Sequence, residues 1–398
     1  MTDESTHRPE SGEDGLQQQP SLSDGSDSAG NARSELEKLF RAMEKQGASD
    51  LHLKPGQPPL FRISTELKKV GNTTLDRQEV RKLIFSIMSD EQKSAFREQG
   101  DIDFSYGLED VGRFRVNVFR QRGDVSTAIR RISDEIPGLD ELNLPPAIRK
   151  IAEMKQGLVL FVGPTGQGKS TSIAALLNYI NTHRKEHIIT LEDPIEYLIE
   201  DRKSIVSQRE IGIDVQNFEV ALKRVVRQDP DIILLGELRD EASFDAGLMA
   251  AETGHLVFGT LHASSAPGTI GRILDLFPGE RENQIRQLLR FNLNAVVAQK
   301  LVPSCHEDHE LVPAVEIMFV NSMVRKLIKE KEDKQIHDVL TSGDYDDMQD
   351  FNQSIMQLLE NGYIDQKTAL KHSPNPEQLK MKLRGIDLGQ EKSILGGS

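Results

Sequence analysis

Residues 163–171 read Gly163, Pro164, Thr165, Gly166, Gln167, Gly168, Lys169, Ser170, Thr171, and their types and spacing fit one chemistry. A polyphosphate needs amide donors that approach without a Cβ in the way, a cation on its outer oxygens, and a hydroxyl for Mg²⁺. The glycines satisfy the first need, Lys169 the second and Ser170 the third. The spacing is G-x-x-x-x-G-K-S, which is informative only between a strand and a helix. Both flanks are present. The unbroken apolar run at 158–162 suits a central strand of a parallel sheet. Ile173, Ala174, Leu176, Leu177 and Ile180 then recur at helical spacing. The competing reading is a glycine-rich turn with an incidental lysine, and the two flanks argue against it.

If that loop belongs to a doubly wound sheet, further chemistry is expected at the carboxyl ends of strands. This rule selects Glu196, Glu237, His255 and His262. Glu196 follows a strand expected at 187–191, in a segment broken by Pro194, where its carboxylate can point toward a γ-phosphate; Glu192 and Asp193 compete for that role. Glu237 follows the strand expected at Ile232–Leu235, with Gly236 where an Asp commonly precedes such a Glu. A magnesium ion would then be held by Ser170 and Glu237, partly through water. His255 and His262 bracket the strand expected at Leu256–Leu261. Each reads either as a satisfied structural histidine or as part of the phosphate site, and their separation disfavours a shared metal.

A second charged pattern precedes the loop. From Gly112 the residues Arg113, Arg115 and Asn117 alternate with Phe114, Val116 and Val118, so one strand face is basic and the other apolar. The basic face is either simply solvated or a source of arginine fingers for a nucleotide held elsewhere; Arg130 and Arg131 join the same set.

The elements that must position these groups fall into segments. Residues 1–32 carry seven carboxylates and few large apolar side chains, so a disordered acidic tail is expected. Residues 33–132 predict an α+β domain with helices segregated from a mostly antiparallel sheet. Leu36, Leu39, Phe40 and Met43 mark its first helix, with Ser34 as cap, and Val80, Leu83, Ile84, Ile87 and Met88 mark one helical stretch over 76–98. Prolines 137, 145 and 146 predict a linker at 133–146. Alternating strands and helices over 147–372 predict a doubly wound α/β domain closed by a helical C-terminal region. Within it, Ile285, Leu288, Leu289, Leu293, Val296 and Val297 predict one helix. Residues 373–398 read as a peripheral tail.

Composition excludes several classes. The chain has 398 residues, enough for two domains, and its net charge of −14 argues against sequence-blind nucleic-acid binding, so no nucleic-acid partner is expected. One cysteine, Cys305, excludes an internal disulfide framework and a Cys-only zinc site within one subunit. No apolar run approaches the roughly 20 residues that span a bilayer, and no signal segment opens the chain, so a cytoplasmic location is expected.

Four motifs in order resemble those of the secretion and type IV pilus motor ATPases, most closely the twitching-motility retraction ATPases. They are the loop at 163–170, Leu191-Glu-Asp-Pro-Ile-Glu196, Asp229-Pro-Asp-Ile-Ile-Leu-Leu-Gly-Glu237, and the histidine box from Ala251-Glu-Thr-Gly-His255 to Leu261-His262. Ala-Ser-Asp-Leu-His-Leu at 48–53 and Arg-Phe-Arg-Val-Asn at 113–117 extend the likeness into the first domain, so that it covers 48–303. The resemblance implies a PAS-like N-terminal domain, a RecA-like P-loop ATPase domain, ATP with Mg²⁺, and a homo-hexameric ring. It also implies a pilus platform protein at the cytoplasmic membrane and a paralogous motor ATPase as partners. By the same resemblance Glu196 is the catalytic carboxylate, Glu237 helps hold Mg²⁺, His255 and His262 sense the γ-phosphate, and Arg113, Arg115 and Arg130 face a nucleotide across domains or subunits. The acidic tail is extra, Ser64-Thr65 replaces a glycine-containing turn, and Met323-Val-Arg-Lys-Leu-Ile-Lys-Glu330 only partly matches the family's Ala-Ile-Arg-Asn-Leu-Ile-Arg-Glu. A pilus assembly or type II secretion ATPase is the nearest alternative, although the four-cysteine insertion usual there is absent. A non-catalytic partner subunit is the next.

Overall fold

The computed structural model describes residues 25–63, 66–132, 135–306, 310–342 and 347–384. The expectations for residues 1–24, Ser64-Thr65 and 385–398 lie outside the described residues. Contacts divide the chain into two units, one ending at Arg131 and the other beginning at Ile132.

The first unit opens with α1 (Gly25–Lys45), whose Leu36, Phe40 and Met43 are buried. The helix begins inside the stretch read as tail, so Ser34 lies within it and does not cap it. Once a helix is nucleated, each added residue gains a hydrogen bond, and Ala32 is buried as well. Strands β1 (Ala48–Leu53), β2 (Leu60–Ile63) and β3 (Glu66–Lys69) follow. The stretch expected as one helix is two, α2 (Arg77–Phe85) and α3 (Asp90–Gln99). Asp76 and Ser89 each form a capping box, and the second box restarts the helix where the first has ended. Val80, Leu83, Ile84 and Met88 are buried as expected, whereas Ile87 is only partly so. β4 (Asp101–Leu108), β5 (Gly112–Gln121) and β6 (Asp124–Ile132) complete a sheet of order β3-β2-β1-β6-β5-β4. On β5, Phe114, Val116 and Val118 are fully buried, with Phe114 stacked 4.2 Å from Phe40. Arg113 and Arg115 therefore occupy the opposite face, as the alternation predicts.

In the second unit the segment 135–146 is not a free connector. Leu139 and Leu144 are buried in the same cluster as Ile148 and Ile151 of α4 (Ile148–Ala152), because two leucines set among prolines gain more from burial than from solvation. The elements then run β7 (Gly157–Val162), α5 (Lys169–His183), β8 (His187–Glu192), β9 (Ile205–Glu210), α6 (Phe218–Val225), β10 (Ile232–Leu235), α7 (Glu241–Glu252) and β11 (Leu256–Leu261). After α8 (Gly268–Leu274) and α9 (Glu282–Asn292) come β12 (Leu293–Pro303) and β13 (Leu311–Phe319). The C-terminal helices are α10 (Ser322–Glu330), α11 (Ile336–Thr341), α12 (Phe351–Glu360), α13 (Gln366–His372) and α14 (Pro376–Leu383).

The sheet order is β13-β12-β7-β11-β10-β8-β9, parallel from β12 to β9 and antiparallel at β13. Every residue of β7 is buried. Leu158, Leu160 and Val162 face one core and Val159 and Phe161 the other, so helices cover both faces. Two further expectations differ from the structure. Leu293, Val296 and Val297 belong to β12 and not to the preceding helix; α9 stops at Asn292, and the valines pair with β7 (Val296 with Leu160, Val297 with Phe161). Their β-branched side chains suit that pleat better than a helix. Nor is the region after 372 wholly peripheral, since Leu379 of α14 is fully buried in the main core. Among the described residues no helix is long and apolar enough to cross a membrane.

Candidate active site

Parallel strands bring their carboxyl ends to one edge, and there the second unit has a cavity of about 700 Å³. The loop from β7 to α5 forms one wall. Gly163, Gly166 and Gly168 have positive φ (148°, 76° and 76°), as a nest of inward amides requires. Lys169 Nζ donates to Gly163 O and Pro164 O, each at 2.8 Å. Burial holds the Lys169 ammonium below its usual pKa, and the charges of Glu237 and Glu196 oppose that shift. Both carboxylates are thus near enough to act on the same cation. Ser170 also lines the cavity, and the Thr171 hydroxyl lies 2.9 Å from that of Tyr197.

The three acids at the end of β8, Glu192, Asp193 and Glu196, separate by their partners. Glu192 accepts from Thr190 Oγ1 at 2.7 Å, from Gln208 Nε2 at 3.1 Å and from the Glu196 amide, and burial raises its pKa. It fixes the loop. All three line the cavity, but Glu192 is tied up by these bonds, and of the three it is Glu196 whose charge acts on Lys169.

Glu237 stands at the next strand end. Its Oε2 accepts from Arg239 Nε at 2.7 Å, and its Oε1 lies 3.0 Å from His262 Nε2. The other ring nitrogen of His262 is 3.2 Å from Gly163 O, so this histidine links the phosphate loop to the β10 acid. The glycine before Glu237 packs closely against β8. A Cβ at 236 would lie 3.1 Å from Leu191 O and 3.3 Å from Glu192 Cα, so the β8 backbone would have to give by a few tenths of an ångström to admit the common Asp.

His255 does not join this group. It precedes β11 and therefore stands at the amino edge of the sheet, where its Nδ1 lies 2.9 Å from Ala250 O and 3.1 Å from Thr253 Oγ1. Parallel sheets place chemistry at the carboxyl ends of their strands, and His255 stands at the opposite end of β11. Arg113, Arg115 and Arg130 lie in the first unit. Arg115 Nε is 3.5 Å from Asp103, and Arg130 donates to the nearly buried Asp50 at 2.9 Å while most of its own side chain stays exposed. The cavity also holds groups that motif reading passed over. Arg239 could have been found as the cation two residues beyond Glu237. Tyr197 in the cavity, and Gln299 buried behind the loop, carry no comparable signal.

The family model described as Type II/IV secretion system protein matches residues 26–365. The chain belongs to this family. Within the family, the type IV pilus ATPase PilU of Pseudomonas aeruginosa is 39% identical over 357 residues, covering 90% of this chain and 92% of the relative. The type IV pilus retractation ATPase PilT of the same organism is 39% identical over 343 residues, 86% of this chain and 99% of the relative. The crystal structure of the pilus retraction motor PilT with bound ADP superposes with a TM-score of 0.81 at 41% identity, covering 87% of this chain and 98% of that one. The likeness drawn from four motifs thus extends over most of the chain.

Proposed function

We propose that this protein is an ATP-hydrolysing motor that drives retraction of type IV pili. The observation that carries the proposal is the convergence of Lys169, Ser170, Glu196 and Glu237 on one cavity, in a chain akin almost end to end to the pilus retraction motor. The loop amides and Lys169 bind the β- and γ-phosphates, and Glu196 orients the attacking water and takes its proton. The Ser170 hydroxyl and the Glu237 carboxylate line the same cavity, a donor pair that fits a magnesium ion keeping several of its waters. That ion would neutralise charge on the phosphates. His262, set between Gly163 and Glu237, is placed to register a change at either.

In this proposal the first unit is PAS-like and the second RecA-like, and the chain works as a homo-hexameric ring in which Arg113, Arg115 or Arg130 acts on a neighbour's nucleotide. The ring sits in the cytoplasm against a membrane platform protein at the pilus base, alongside a paralogous motor ATPase. The test of the chemistry is nucleotide binding and phosphate release by Lys169→Ala and Glu196→Gln. The first should lose ATP binding, and the second should bind ATP without turning it over. Normal turnover by Glu196→Gln would move the role of base to Asp193 or Glu237.

A further inference from the structure

β12 is a central strand, and nearly all of its interior positions are small or aliphatic: Ala295, Val296, Val297, Ala298 and Val302 are buried. Gln299 interrupts them and is itself 2% exposed. A buried carboxamide is costly unless its donor and acceptor are used, so its partners indicate why it is there. Gln299 Nε2 donates to Gln167 O at 2.8 Å, and Gln299 Oε1 accepts from Ser172 Oγ at 2.8 Å. Gln167 O can only accept, which fixes the orientation of the amide. One partner is therefore in the phosphate loop and the other in the first turn of α5. The same strand holds the loop a third way, because the Leu301 amide donates to Gln167 Oε1 at 2.8 Å.

The bond to Gln167 O has a geometric consequence. In a trans peptide the C=O of one residue and the N–H of the next point in opposite directions. Drawing the Gln167 carbonyl back toward β12 turns the Gly168 N–H the other way, toward the concave side of the loop. Space is tight enough to make this a fixed setting. A Cβ on Gly168 would lie 2.8 Å from Gln299 Nε2. Resting on the reading of the cavity as an ATP site, we propose that Gln299 is a positioning residue for phosphate binding, which sets the Gln167–Gly168 peptide so that its N–H is presented to the β-phosphate. It touches no reacting atom, and it acts through the loop.

The test is Gln299→Met, which keeps length and approximate volume and removes both hydrogen bonds. ADP, ATP and AMP would be competed against a fluorescent ATP analogue, with turnover measured beside them. The expected result is a roughly tenfold weaker ADP affinity and a matching rise in the KM for ATP, the size of one buried hydrogen bond lost. AMP, which lacks the β-phosphate, should bind as it does to the parent. The kcat at saturating ATP should stay within about twofold, since the cradle holds substrate and transition state alike. Unchanged ADP affinity in the folded variant would overturn the proposal, as would an equal loss for AMP and ADP, which marks a merely structural role. If Gln299→Met does not fold, Ser172→Ala frees the amide from one side and should weaken ADP about threefold but not AMP, judged by the same two criteria. A parent protein that binds no ADP, or a Lys169→Ala protein that binds it normally, would show that the ATPase reading itself had failed, and the proposal with it.

Discussion

Gly163→Ala should be among the most damaging single-methyl additions to the phosphate loop, and the contrast with Gly166→Ala makes the expectation quantitative. Residue 163 has φ +148°, a region nearly closed to residues with a Cβ, and the added carbon would meet Gln299 O at 2.4 Å. That oxygen belongs to β12, which is paired on both sides, to β7 and β13, so it cannot withdraw cheaply. Backbone strain of about 1–3 kcal/mol and overpacking of about 1–3 kcal/mol give a total near 4 kcal/mol. Gly166 has φ +76° and nothing within 4 Å of a built Cβ, so its substitution carries only the left-handed penalty, about 1–2 kcal/mol. The difference of about 2–3 kcal/mol corresponds to roughly 5–10 °C in Tm for a unit of this size. Thermal unfolding followed by circular dichroism without nucleotide would measure it. Equal Tm values for the two variants would refute the close packing of β12 behind the loop.

Four further predictions concern other parts of the molecule. Burial holds the Glu316 carboxyl above its ordinary 4.5, with Ala266 and Phe351 amides opposing; the folded state binds that proton more tightly, so this stability is full below pH 4.5 and is lost as pH rises through the raised value. Glu316→Gln should flatten that part of a urea-stability profile, and parallel profiles for variant and parent would count against the assignment. On α10, Val324, Leu327 and Ile328 are buried in the main core, so Leu327→Ala should cost about 2–5 kcal/mol, read as a lower urea midpoint. The exposed Arg325, Lys326 and Lys329 are the better probes of coupling: their alanine variants should hydrolyse ATP normally in vitro while cells lose retraction, and unchanged retraction removes α10 from the coupling path. Mixing Lys169→Ala subunits with Arg113→Ala, Arg115→Ala or Arg130→Ala subunits should restore some hydrolysis, whereas failure of all three in demonstrably mixed rings means the arginines act in cis or only structurally.

The phosphate loop was legible in the sequence because its chemistry is backbone chemistry. Glycines at 163, 166 and 168 are read directly, and the apolar run before them can hardly be anything but a buried strand. Glu196, Glu237 and His262 were legible through the rule that parallel strands deliver their carboxyl ends to one edge, and the cavity brings these residues together. His255 was misread because the rule was applied to both ends of β11. The chain after Asn292 was misread for a different reason. Leu293, Val296 and Val297 continue the helical spacing of a real helix, and only pairing with β7, more than a hundred residues earlier, makes them a strand. Gln299 was invisible for the same reason: its partners Gln167 and Ser172 are 132 and 127 residues away, and an uncharged amide on an apolar strand carries no motif. At 135–146 the prolines suggested a connector, while the leucines between them determined the packing.

The most direct measurement of the central claim is a count of surface pili, with surface motility scored in parallel, in cells whose only copy of this chain carries Glu196→Gln. The cavity keeps Lys169, the loop, Ser170 and Glu237 in that variant, so the subunit should still bind ATP and assemble, and only the chemical step is removed. A motor that retracts pili and uses Glu196 predicts cells crowded with pili that do not shorten and do not move the cell. Bald cells would make the chain an assembly motor, and normally piliated, motile cells would contradict the role given to Glu196.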